Sequence, residues 1–164
     1  MFDTHVNLHG EPFADDLEEV LARARAAGVG RFLAICDRFD NFPAILAIAE
    51  AHDDIWCSVG VHPHHAKDFR NLTAEELLQG AENREVVAIG ETGLDFHYGY
   101  STEEDQVLSL RKHISVARDS GLPLILHTRE ADDLMADILE EEYARGAFRP
   151  LLHCYTGGPD LAQR

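Results

Sequence analysis

The stretch VVAIGETGLDFHYG, residues 86–99, begins with small and apolar residues and then turns abruptly polar. Its first five residues are typical of a strand that is covered on both faces of a sheet. Glu91 follows directly, and a carboxylate at the end of a buried strand loses its hydration unless it is paired or bound to a metal. A basic side chain such as Arg129 would satisfy it, and so would a cation. The stretch therefore predicts a strand that leads into a metal site or a buried ion pair.

Similar apolar runs recur along the chain and are separated by segments with helical periodicity. The runs begin near residues 2, 31, 55, 86, 122 and 149. A (β/α)8 barrel of about 250 residues has roughly this spacing between strands. Among the helical segments, one opens with a capping box at Thr73 and Glu76, and another with the same spacing at Ser101 and Glu104. We expect one α/β domain over residues 1–164, whose six βα units form either an open parallel sheet or part of a barrel.

Composition and charge narrow the class of protein. The 164 residues include 14 Lys plus Arg against 30 Asp plus Glu, a net charge of −16. This balance disfavours a broad basic surface for nucleic acid, although bound metal ions can supply positive charge locally. The sequence contains no run of about 18 apolar residues and no basic leader, so we expect no membrane segment and no secretory signal. An odd number of cysteines without a CxxC pair (Cys36, Cys57 and Cys154) predicts buried thiols in a reducing cytoplasm.

Each predicted strand ends in a side chain that can bind a metal. The carboxyl ends of parallel strands meet on one face of a barrel or sheet, where active sites form. Histidine and glutamate are common ligands of divalent cations, so this coincidence predicts a metal site. Asp37 could equally begin a helix, and His5 is a weaker candidate because Asn7 stands where a second imidazole would share its face. The residues at the strand ends are His5, Asp37, His62, Glu91, His127 and His153.

Two further side chains are candidates for substrate contact or catalysis. His62, held by the proline of GVHPHHA, could contact substrate or act as an acid or base. We expect His64 and His65 of the same loop at the surface. Arg129 could form a forked contact with a phosphate or, alternatively, a salt bridge near Glu130.

Aromatic residues follow the strand of the opening stretch. Phe96 and Tyr98 could stack on a nucleobase, although aromatic residues after a strand more often pack into a core.

Taken in order, the motifs DTHVNL, GVHPHHA, AIGETGLDFHYG, STEEDQ, PLILHTREADD and LLHCYTGG resemble the TatD family of metal-dependent deoxyribonucleases. The resemblance covers essentially the whole chain, and VNL at residues 6–8 is closest to the TatD-type branch. It implies a TIM (β/α)8 barrel with only about six of eight βα units present, and hence a domain that is incomplete at its C-terminus. It also implies 3′–5′ exonuclease activity on the ends of single-stranded DNA and RNA, with a role in DNA repair.

The resemblance also implies roles for individual residues. Glu91, His127 and His153 match metal ligands of the family, and His5 matches the first histidine of its HxH pair. His62 matches the histidine of the family's HP motif. Asn7 departs from the pair, and a metal-binding aspartate on a late strand has no counterpart here. The implied cofactor is one or two divalent cations, with Mg²⁺ expected first and Mn²⁺ or Zn²⁺ as alternatives.

Two alternatives to the nuclease stay open. The same barrel can carry a metal-dependent hydrolase of a small ester, lactone or amide, because a fold does not determine a function. The chain could also be an inactive, truncated fragment that folds poorly by itself.

Overall fold

Six parallel strands form one sheet in this computed structural model, which describes residues 1–163. Each strand pairs with the next one along the chain. The strands are β1 (Phe2–Val6), β2 (Arg31–Ala34), β3 (Ile55–Val59), β4 (Val86–Asp95), β5 (Leu124–Arg129) and β6 (Pro150–Leu152). The helices are α1 (Leu17–Ala26), α2 (Phe42–Ala51), α3 (Ala74–Ala81), α4 (Glu103–Ser120), α5 (Asp132–Arg145) and α6 (Pro159–Gln163).

The order of the strands decides between the two predicted architectures. In a doubly wound sheet the strand order reverses near the middle, whereas a barrel adds each new strand beside the previous one. Here the order runs from β1 to β6 without reversal. The protein therefore has the TIM-barrel type of fold, with six strand–helix units, as the resemblance implied.

Apolar side chains cover both faces of the central strands. Most of them belong to a large core between the sheet and the helices, and a smaller cluster formed by Leu33, Ile35, Ala88 and Ile125 lies apart from it. Burial on both faces explains why the strands read as continuous apolar runs. At the two edges of the sheet, by contrast, Phe2 and Leu151 are about half exposed, as expected for edge strands one and six.

The helix ends follow the predicted capping signals closely. Thr73 and Glu76 form the predicted capping box at the start of α3. At the start of α4 the capping residue is Thr102, whose side chain accepts a hydrogen bond from the N–H of Asp105. The prediction that Ser101 caps this helix was therefore wrong by one residue. Within residues 1–163 no helix combines the length and apolar character that crossing a membrane requires.

The cysteines agree only partly with the sequence prediction. Cys36 and Cys57 are buried, and burial raises the pKa of each thiol to about 12. Cys154 is exposed. It comes directly after β6, at an edge of the sheet where no further strand of the described chain covers it.

Candidate metal centre

Side chains from four strand ends converge at the carboxyl edge of the sheet. His5 lies on β1, Glu91 on β4 and His127 on β5. His153 follows β6, and its N–H donates to the carbonyl of Leu126 at 2.9 Å, so that His153 lies beside the end of β5. Residues separated by up to 148 positions are thus brought together by parallel pairing alone.

Tight packing of β4 against β5 positions Glu91 and His127. Gly93 pairs with His127 and has a φ of 144°, a conformation that residues with a side chain rarely adopt. A Cβ atom on Gly93 would lie 1.9 Å from the carbonyl oxygen of His127. Only glycine therefore allows the two strands to approach this closely beside the candidate ligands.

His5, Glu91 and His153 form the first group of candidate metal ligands. One ligand atom of each lies within 4.8 Å of the others. The Nε2 atom of His5 is 3.6 Å from Oε2 of Glu91, and the imidazoles of His5 and His153 stack with their centres 3.9 Å apart. The stacked rings present their nitrogen atoms to the same carboxylate.

His62, His64 and His127 form the second group, with ligand atoms again within 4.8 Å of one another. Glu91 faces this group as well, because its Oε1 atom is 3.4 Å from Nδ1 of His127 and 4.0 Å from Nε2 of His62. One carboxylate therefore lies between the two groups and directs one oxygen towards each. A carboxylate in this position can bridge two cations.

Asp95 orients the second group and was not among the predicted site residues. It is buried, and its Oδ2 atom accepts hydrogen bonds from Nε2 of His64 and Nε2 of His127, both at 2.9 Å. Its own N–H donates to the side chain of Gln106 at 2.7 Å. Because Asp95 engages Nε2 of His127, Nδ1 of the same ring faces Glu91. A carboxylate that holds the second nitrogen of an imidazole in this way is common behind metal ligands.

The electrostatics of the site favour ionised carboxylates. Burial alone would raise the pKa of Glu91, but the hydrogen bond with His127 and the nearby His62 and His5 lower it below its usual range. Burial also opposes ionisation of Asp95, yet the hydrogen bonds from His64 and His127 lower its pKa to about 2. For His127, burial is outweighed by hydrogen bonds to Glu91 and Asp95, which raise its pKa.

His62 and His5 are held in the neutral form. Burial is the main cause that lowers the pKa of His62 to about 3, and burial also lowers the pKa of His5. The Nδ1 atom of His62 accepts from the N–H of His64 at 3.3 Å. In a neutral imidazole the other nitrogen then carries the proton, so Nε2 of His62 is a donor that points towards the centre of the site.

The donor atoms fit a divalent cation. A metal bound at about 2.1 Å holds its ligands roughly 3 to 4 Å apart. The distances from Glu91 to His5 and His127, 3.6 and 3.4 Å, are already in that range. Neutral imidazoles and an ionised carboxylate are the forms that bind metals, so the first group could hold an ion as it stands, whereas His127 would lose its proton to bind a second ion with Glu91.

The other predicted residues lie around the same cleft, which has a volume of about 620 Å³. Arg129 lines it without forming an ion pair among residues 1–163, and its Nη1 atom instead donates to the hydroxyl of Tyr98 at 3.1 Å. Asp37 also lines the cleft, and its Oδ1 atom lies 3.2 Å from Nε2 of His9. Asn7 lies at the wall of the cleft but belongs to neither ligand group.

His64 differs from its sequence prediction. We expected it at the surface, but its ring is mostly buried and contacts Asp95. The reason is that a short 3-10 helix begins at Pro63 and turns the ring inward. His65 is more exposed, and its Nδ1 atom lies 3.1 Å from Nη1 of Arg38.

Comparison with known proteins places the chain in a family. Residues 2–164 match the family described as TatD related DNase. A protein of Erwinia tasmaniensis named 3'-5' ssDNA/RNA exonuclease TatD is 39% identical over 158 residues, which make up 96% of this chain and 61% of that protein. YabD of Bacillus subtilis, named an uncharacterized metal-dependent hydrolase, is 34% identical over 99% of this chain and 64% of its own length.

Solved structures agree with this assignment. The TatD homologue YJJV of Escherichia coli superposes with a TM-score of 0.86 at 32% identity, covering 99% of this chain and 63% of that one. A TatD family hydrolase of Entamoeba histolytica, at 22% identity and a TM-score of 0.87 over 99% of this chain and 60% of that one, shows the same fold. The chain spans about three fifths of the length of the curated relatives it matches. It belongs to the TatD family of metal-dependent hydrolases.

Proposed function

We propose that the protein is a metal-dependent nuclease that hydrolyses phosphodiester bonds at the 3′ ends of single-stranded DNA or RNA. The observation that carries the proposal is the position of Glu91, whose two oxygens face two separate groups of histidines. Relatives named 3'-5' ssDNA/RNA exonuclease support the substrate and the polarity. A role in DNA repair and a cytoplasmic location, both expected from the sequence, remain predictions.

In this proposal the first cation would be held by His5, Glu91 and His153, and a second by His127 with Glu91. A bound divalent cation lowers the pKa of water and stabilises negative charge on phosphoryl oxygens. The donor set contains more imidazoles than carboxylates, which suits Mn²⁺ or Zn²⁺ better than Mg²⁺. Mg²⁺ is the ion that the resemblance implied, so all three belong in the test.

The remaining side chains act on the phosphate in this proposal. Nε2–H of His62 points into the cleft and would donate a hydrogen bond to a phosphoryl oxygen. Its pKa of about 3 keeps it neutral at pH 7, which favours this role over that of a protonated acid. Arg129, with no carboxylate partner among the described residues, is free to contact a second phosphoryl oxygen through its guanidinium group.

The proposal is tested by nucleotide release from single-stranded DNA labelled at the 3′ or the 5′ end, with Mg²⁺, Mn²⁺ or Zn²⁺ added after chelation. We expect the 3′ label to be released first, and Glu91→Gln to reduce release at least 100-fold. The control Glu50→Gln changes an exposed carboxylate on α2, outside the site, and should leave the rate unchanged.

Three outcomes would contradict the proposal. If nucleotides are released at the full rate with chelator present, hydrolysis does not require a metal. A folded protein that hydrolyses a small ester or lactone but releases no nucleotide would favour the alternative hydrolase, and one that hydrolyses neither would favour the inactive fragment.

A further inference from the structure

Two tyrosines lie exposed and stacked in the loop between β4 and α4. Tyr98 is 48% and Tyr100 54% exposed. Their ring centres are 5.3 Å apart and their planes differ by only 2°. Of the two aromatic residues considered in the sequence, Phe96 packs against the core as expected, whereas Tyr98 does not, because its ring is exposed. The stacked pair therefore presents aromatic surface to water.

The tyrosine pair lies directly beside the candidate metal centre. The ring of His64 stands edge-on to both tyrosines, with its centre 5.3 Å from that of Tyr98 and 4.9 Å from that of Tyr100. His64 also belongs to the second ligand group, with its centre 4.4 Å from that of His62. One imidazole therefore separates the exposed rings from the place where a scissile bond would lie.

The guanidinium group of Arg129 lies beside the tyrosine pair. The guanidinium carbon of Arg129 lies 4.9 Å from the ring centre of Tyr98. Arg129 also lines the cleft of the metal centre, and no carboxylate of residues 1–163 forms an ion pair with it. In a chain with a net charge of −16, an arginine without a carboxylate partner beside exposed aromatic rings is a local site for a negatively charged, aromatic ligand.

We propose that Tyr98 and Tyr100 form a stacking platform for a nucleobase of the strand whose phosphodiester occupies the metal centre. The inference rests on the proposed nuclease function and adds a base-binding subsite to it. Every base has a face that can stack on an aromatic ring, so the platform accepts any sequence. A base paired within a duplex has no free face, and so the platform selects single strands.

Tyr100 is the better residue to substitute, because Tyr98 also holds Arg129. The test measures binding of a fluorescent single-stranded DNA to the full chain by anisotropy, with chelator present so that no cleavage occurs. We expect Tyr100→Ala to weaken binding about tenfold, since one base–aromatic stack has this order of effect. Tyr100→Phe keeps the ring and should bind within threefold of the wild type.

Two controls separate stacking from other effects. Tyr143→Ala removes a tyrosine of similar exposure, 56%, which lies on α5 against Phe148 away from the site, and should not change binding. The second control is the same strand with abasic residues, for which Tyr100→Ala should have no effect because no base can stack. If Tyr100→Ala binds the normal strand as tightly as the wild type does, the platform is overturned. An equal loss for normal and abasic strands, or no binding of either strand by the wild type, would also overturn it.

The binding assay and the hydrolysis assay fail independently. Metal-dependent release of nucleotides combined with binding that is insensitive to Tyr100→Ala would leave the nuclease intact and reject the platform. Binding that depends on Tyr100, in a chain that releases no nucleotide with any of the three metals, would retain the platform and reject the nuclease.

Discussion

Gly93→Ala tests whether the close approach of β4 and β5 is required for the fold and the site. The added Cβ would lie 1.9 Å from the carbonyl oxygen of His127 and 2.9 Å from its carbonyl carbon, whereas real Cβ atoms essentially never come within 3.0 Å of such neighbours. The two strands would have to separate by about 1 Å, enough to break ladder hydrogen bonds that contribute about 1 kcal/mol each. The backbone strain of an L-residue at a φ of 144° adds about 1–3 kcal/mol.

Together these effects predict a loss of at least about 4 kcal/mol in the free energy of unfolding. Gly121→Ala is the matched control. Gly121 ends α4 with a φ of 70°, and a Cβ there would meet nothing within 4 Å. Gly121→Ala therefore introduces backbone strain without a clash, and we expect it to lower the free energy of unfolding by about 1 kcal/mol.

The assay is urea-induced unfolding followed by circular dichroism and by the fluorescence of Trp56, the one tryptophan of the chain. Gly93→Ala should either show no cooperative transition or unfold far below the urea concentration at which Gly121→Ala unfolds. If the two variants unfold within about 1 kcal/mol of each other, the clash with β5 does not control stability and the reasoning is refuted.

Three further predictions concern the metal centre and the buried charges. Asp95→Asn removes the charge that holds the imidazoles of His64 and His127 and should weaken metal binding about 10- to 100-fold in competition with a chromophoric chelator; a change below threefold would contradict this. Glu142→Gln removes a buried carboxylate that accepts from three partly exposed arginines, and should lower the free energy of unfolding by about 2 kcal/mol in urea titration. Burial lowers the pKa of His113 to about 4, so the unfolded chain binds a proton there below its ordinary pKa of 6.5 while the folded chain does not. Stability should fall between pH 7 and pH 5, and His113→Gln should reduce that fall by about 2 kcal/mol, whereas an identical fall in both proteins would exclude His113 as its cause.

The sequence predicts the strands well because the central ones are buried on both faces and therefore form continuous apolar runs. Predicted starts near residues 86, 122 and 149 compare with observed starts at Val86, Leu124 and Pro150. The sheet order was not predictable from the residues alone, since a doubly wound sheet and a barrel use the same apolar runs. That order depends on which helices pack together across the sheet, and local sequence carries little of this information.

The convergence of the strand-end residues was predictable, whereas the position of His64 was not. His5, Glu91, His127 and His153 were all expected at the carboxyl edge, and the structure brings them together there. His64 was not, because its partner Asp95 lies 31 residues further along the chain and no local pattern joins them. β4 also extends over ten residues to Asp95, past the point where its apolar run ends, so the apolar pattern did not mark Asp95 as a residue of this edge.

The position of Glu91 also explains how the site can tolerate Asn7. In the family pattern, position 7 would supply a second imidazole on β1, next to that of His5. Here His153, stacked on His5 at 3.9 Å, completes a group of three donors without residue 7. Because Oε1 and Oε2 of Glu91 face different groups, one carboxylate serves both, and neither group uses residue 7 as a ligand. On this reasoning the departure at residue 7 weakens one position of the site but leaves its central carboxylate with partners on both sides.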